Sequence, residues 1–166
     1  MMEEMMGISA FLEETSFFIS NQHKLKALEA LKHQYNEFSL FRQSFGNDHE
    51  KFEGFHKSRT LEEAAAIAGW FGECSMSNDN EGNIVGFQKG WMDSLSDQEI
   101  YAFYHPISQY VKDGSFISIG TEGNDWYTFR FDQGVLSVYY SYLEIDEEAG
   151  MAELSEEEDR THHYSC

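Results

Sequence analysis

Cysteine, proline and basic side chains are all scarce in this chain. Its two cysteines, Cys74 and Cys166, are too few for a disulfide framework and lack metal-ligand spacing, which points to a reducing, cytoplasmic setting. The single proline, Pro106, leaves one place where a helix must kink or split. Eleven Lys and Arg residues stand against thirty Asp and Glu, for a formal charge of −19. Such a field repels nucleic acid and anionic membrane and attracts basic proteins. No apolar run approaches the roughly 18 residues of a membrane span. The opening MMEEMMGISAF is acidic where a signal peptide would be basic. Also missing are G-x-G-x-x-G, a P-loop, H-E-x-x-H, G-x-S-x-G and C-x-x-C. Their absence weighs against an enzyme, and no cofactor or metal is expected.

Aromatic residues make up 16% of the 166 residues, enough to pack one substantial core. The clearest pattern runs from Asp113 to Glu144 and predicts a three-stranded antiparallel meander. A two-residue turn at Gln133-Gly134 pairs Phe131 with Leu136, Phe129 with Val138 and Tyr127 with Tyr140. A loop at Glu122-Gly123-Asn124 then sets Ile117 opposite Phe129 and Ile119 opposite Tyr127. One face is therefore apolar: Ile117, Ile119, Tyr127, Phe129, Phe131, Leu136, Val138, Tyr140 and Tyr142. The other carries Ser118, Trp126, Thr128, Arg130, Ser137, Tyr139 and Ser141 and reads as largely solvated. Trp126, Arg130 and Tyr139 are residue types that anchor binding interfaces, on a face that needs no aromatics for packing.

Upstream, Phe11, Thr15, Phe17 and Ile19 alternate as a first strand over residues 8–19, which Glu13 interrupts with a bend or an edge. Leu25, Leu28, Leu31, Tyr35, Phe38, Phe41 and Phe45 predict one long amphipathic helix from Asn21, as its cap, to near Gly46. Its lysines and Arg42 read as a solvated face. Residues 47–59 read as a polar loop anchored by Phe52 and Phe55, with His49 and His56 too isolated to bind metal. Thr60 and Glu63 form a capping box for a helix over 61–71. Met76 and Phe87 face each other across a hairpin turn at Asn80-Glu81-Gly82-Asn83. A calcium loop from Asp79 fails because its twelfth residue is Gly90. A second capping box, Ser96 with Glu99, opens a helix that Pro106 divides; His105 beside it has no evident catalytic partner.

Charge is unevenly spread, at +2 over residues 20–60, −9 over 61–132 and −8 from 133 onward. Residues 1–145 are expected to form one domain and 146–166 an acidic flexible tail, with at most a short helix over 151–158. His162, His163 and Cys166 on that tail make a weak metal set.

The segments Thr60 to Ala64 with Gly69-Trp70, Glu81 to Gly86, Ile107 to Ile119 and Trp126 to Gly134 resemble a group of small acidic uncharacterised bacterial proteins. The resemblance spans about residues 60–140 and rests on caps, turns and core aromatics. It implies the fold and carries over no catalytic residue.

The expected architecture is α+β, a mainly antiparallel sheet of about five to six strands with helices on one face, in the order β-α-α-β-β-α-β-β-β. The expected function is a non-catalytic interaction protein that binds a basic protein, such as an immunity protein or an inhibitor of a toxin or nucleic-acid enzyme. Its partner-binding residues would be Trp126, Arg130, Tyr139, Glu147, Glu148, Glu156, Glu157, Glu158 and Asp159. Two alternatives are a small-ligand-binding domain using the Trp126/Tyr139 face and an enzyme whose site assembles from scattered histidines and carboxylates.

Overall fold

Alternation, capping and turn chemistry give an α+β chain, seen in a computed structural model that describes residues 10–68, 75–88, 91–92, 97–121, 125–146 and 151–158. The elements are β1 (Ala10–Ser16), α1 (Asn21–Gln34), α2 (Phe38–Phe45), α3 (His49–Lys57), α4 (Leu61–Ala68), β2 (Ser75–Asn78), β3 (Ile84–Gln88), β4 (Trp91–Met92), α5 (Asp97–Tyr104), a 3-10 turn (His105–Tyr110), β5 (Phe116–Thr121), β6 (Asp125–Asp132), β7 (Val135–Asp146) and β8 (Met151–Glu158). Six strands form one sheet in the order β4-β1-β5-β6-β7-β8, and β2-β3 form a separate hairpin.

The meander has the register its alternation predicts. Phe131 pairs with Leu136, Phe129 with Val138, Tyr127 with Tyr140, Ile117 with Phe129 and Ile119 with Tyr127. Gln133 and Gly134 both take positive φ, 49° and 78°, the primed turn whose twist matches that of the strands it joins. The turn is held from outside: the Gln133 amide donates to Asp113 Oδ1 at 2.8 Å, and the Ser108 hydroxyl is shared between the carbonyls of His105 at 2.8 Å and Gly134 at 3.1 Å. The loop over 122–124 lies outside the described residues. In β1, the register shifts between Leu12 and Glu14, so Glu13 is the bend. On its other side β1 pairs with β4 only at Ala10 and Phe11, before the bend.

Ile117, Ile119, Phe129, Phe131, Leu136 and Val138 are all buried, in one apolar cluster with the inward residues of the helices. Phe17 links three layers, its ring 5.2 Å from Phe87 of the hairpin, 5.5 Å from Tyr104 of α5 and 5.6 Å from Phe131 of β6. Pro106 divides the helical stretch as expected, opening the 3-10 turn where its missing N–H costs nothing.

Three expectations give way. The single long helix is two, broken after Gln34, because Tyr35 turns off the helical path (φ −115°, ψ 43°). The break re-aims Phe41 and Phe45 of α2 onto Phe55, at 5.3 and 6.3 Å between ring centroids. Leu25 belongs to the expected apolar stripe but is 63% exposed, and Ala27 takes the inward position. The polar loop at 47–59 contains α3, since Asp48 caps it by accepting from the amides of Glu50 at 2.9 Å and Lys51 at 3.1 Å. Phe52 and Phe55 anchor it as foreseen, Phe55 fully buried.

The third correction concerns the acidic tail. Met151–Glu158 are a strand, not a flexible segment or a short helix, paired without a register shift from Asp146↔Met151 to Tyr139↔Glu158. Partnering along β7 overrides the weak strand preference of glutamate. Residues 147–150 and 159–166 lie outside the described residues, as do Trp70, Phe71, Gly72 and Ser96. Among the described residues no helix is long and apolar enough to cross a membrane.

Candidate functional site

The sheet face turned away from the apolar core is built from alternate residues of β5, β6, β7 and β8. Within it Trp126 pairs with Ser141, Thr128 with Tyr139 and Arg130 with Ser137. Trp126 and Tyr139 are half-buried and Arg130 is exposed. The Arg130 guanidinium lies over the Tyr139 ring, 4.2 Å from its centroid, so charge and aromatic surface meet at one spot.

This face is not uniformly wet. Ser118, Thr128 and Ser141 are buried, and the Ser118 and Thr128 hydroxyls lie 3.3 Å apart. These short side chains are cross-strand neighbours of larger ones, Ser141 beside Trp126 and Thr128 beside Tyr139. The site thus sets buried hydroxyls beside an indole, a phenol and a guanidinium.

Strand β8 extends the face. Its register sets Glu158 beside Tyr139 and Glu156 beside Ser141, so both acids share the face of Trp126, Arg130 and Tyr139. Glu157 pairs with Tyr140 and belongs to the opposite face. Glu147, Glu148 and Asp159 fall outside the described residues. By register, Glu156 and Glu158 take positions on the face of Trp126, Arg130 and Tyr139, and Glu157 takes one on the other face.

A second feature was missed by sequence reasoning. A half-open groove of about 210 Å³ runs between the starts of α1 and α4, lined by Asn21, Lys24, Leu25, Leu28, Arg59, Thr60 and Leu61. It is below the roughly 300 Å³ at which ligand pockets usually begin. Lys24 at its wall is engaged, 3.0 Å from Glu62 Oε2 and donating to the Gly82 carbonyl at 2.9 Å. Lys32 donates to the Ser58 carbonyl. These two lysines tie elements together and are not simply solvated. Thr60 and Glu63 cap α4, Thr60 Oγ1 accepting from the Glu63 amide and the Glu63 carboxylate from the Arg59 amide.

Three groups with shifted acid–base behaviour lie on α5 or directly after it. Burial raises the Glu99 carboxyl, opposed by the positive charge of Lys51, and pushes the Tyr104 hydroxyl well above the usual phenol range. His105 stacks on Tyr101 at 5.1 Å, and partial desolvation lowers its pKa. None of the three lines the groove. His49 stacks on Phe38 at 3.8 Å, and His56 Nε2 lies 2.8 Å from the Tyr35 carbonyl oxygen. Among the described residues no three His, Cys, Asp or Glu side chains are grouped to hold a metal; His162, His163 and Cys166 lie outside them. Compared with family models, with curated proteins and with solved structures, the chain matches none.

Proposed function

We propose that this chain is a non-catalytic interaction protein that docks a basic protein partner through the Trp126–Arg130–Tyr139 face. One observation carries the reading: the β7–β8 register sets Glu156 and Glu158 on the same sheet face as the aromatic pair. Aromatic anchors beside carboxylates suit a cationic surface, the acids accelerating encounter and the rings resisting dissociation. A chain charge of −19 extends that attraction beyond the contact itself. An immunity protein, or an inhibitor of a toxin or nucleic-acid enzyme, has this requirement, since its target is basic wherever it must grip phosphates. Two cysteines and no disulfide framework suit a cytoplasmic setting.

The test is capture from host lysate at low and raised salt with the full chain, a Glu156→Gln/Glu158→Gln variant and a Trp126→Ala variant. The expected result is a basic protein held by the parent at low salt and lost from both variants. Equal capture by all three, or no basic protein at all, overturns the reading.

A further inference from the structure

We infer that the outer edge of β8 accepts an extended basic segment of the partner as an added antiparallel strand, a binding mode that rests on the reading above. The two ends of the sheet differ sharply. Among the described residues β4 at one end has two residues, β8 at the other has eight, and nothing pairs with the outer side of β8. On such a strand every second residue turns its N–H and C=O away from the sheet, where they can bond a further chain.

Proteins ordinarily blunt a long edge with a bulge, a proline, shortness or charged side chains. Strand β8 has none of the first three: its eight pairs with β7 run without a register shift, and Met151–Glu158 contains no proline. It has glutamates instead, at 153, 156, 157 and 158. Two copies of β8 joined antiparallel about their middle would set Glu153 opposite Glu156 and repel, so a second copy is disfavoured. A lysine- or arginine-bearing strand meets the same carboxylates with favourable cross-strand pairing. The edge is therefore closed to itself and open to a cationic strand. It also adjoins the Trp126–Tyr139 face, because Glu156 and Glu158 lie on both.

The probe is a capped eight-residue peptide of alternating lysine and threonine, beside the same peptide N-methylated at every second residue, which keeps the charge and deletes the donors. Binding to the full chain is followed by fluorescence anisotropy, and amide hydrogen exchange is read along β8. Strand addition predicts at least about tenfold weaker binding by the methylated peptide, and exchange slowed at alternate β8 amides by the plain one. Equal binding of both peptides without β8 protection overturns strand addition while leaving charge-driven docking on the face intact. Binding by neither peptide overturns strand addition, and the capture experiment then judges the face independently. A concentration-dependent dimer that protects the same amides overturns it in favour of a second copy.

Discussion

Tyr35 donates its phenolic hydrogen to the backbone carbonyl oxygen of Ala102 over 2.6 Å, both residues being buried. This bond ties the point where α1 ends to α5, and so fixes the break that redirects α2. Replacing Tyr35 with Phe keeps the ring and its contact with Phe45 at 4.9 Å but removes the donor. Losing one partner of a buried hydrogen bond costs about 1–3 kcal/mol. For a chain of this size each kcal/mol lowers Tm by roughly 2–4 °C, so thermal melting should register the variant. An unchanged Tm would mean that the helix break is held elsewhere.

Phe55 and Leu25 separate inward from outward positions on the helical layer. Phe55 is fully buried, with the rings of Phe41 and Phe45 around it, whereas Leu25 is 63% exposed. Phe55→Ala should destabilise by about 3–5 kcal/mol, and Leu25→Ala by no more than about 0.5 kcal/mol. Urea midpoints of the two variants check this. A large loss from Leu25→Ala would restore the single amphipathic stripe that its spacing suggests.

The meander was legible because period-two alternation and a positive-φ turn agree on one register, and a slip of one residue would bury Arg130 and expose Phe129. The helical layer was less so. Tyr35 satisfies a continuous helical stripe, and its hydrogen-bond partner Ala102 lies 67 residues away, out of reach of local periodicity. The polar composition of residues 47–59 hides α3, whose first amides are satisfied by Asp48. Strand β8 was the least legible element, because its partner β7, not the propensity of its glutamates, makes it a strand. Trp126, Arg130 and Tyr139 could be placed on one face from sequence; Glu156 and Glu158 could join them only once β8 was paired.

Gly82 and Gly114 test what the hairpin tip contributes. Both take positive φ, 82° and 86°, yet a Cβ on Gly82 would lie 3.1 Å from the Asn21 side chain, while one on Gly114 meets nothing within 4 Å. An Ala at either position carries the left-handed backbone cost of about 1–2 kcal/mol. Gly82→Ala must also displace Asn21, whose amide is held by Asn83 Oδ1 at 2.8 Å. It should therefore be the more destabilising, with faster amide exchange in the first turn of α1. Equal losses would mean that the tip does not anchor α1.

Asp79 organises that tip and gives it a pH dependence of known sign. Its carboxylate accepts from Asn83 Nδ2 and from the amides of Asn83 and Glu81, each at 2.9 Å. These bonds, the one from the Asn83 side chain foremost, hold its pKa below the ordinary 3.8, against a smaller opposing effect of desolvation. Because the folded chain favours the ionised form, Asp79 contributes its stability fully above pH 3.8 and loses it as the pH falls through the lower folded value. Asp79→Ala removes the contribution at every pH. Urea midpoints of parent and variant should therefore differ most near neutrality and converge as the pH is lowered below 3.8. A gap that stays constant over this range would show that the carboxylate's charge has no part in holding the turn.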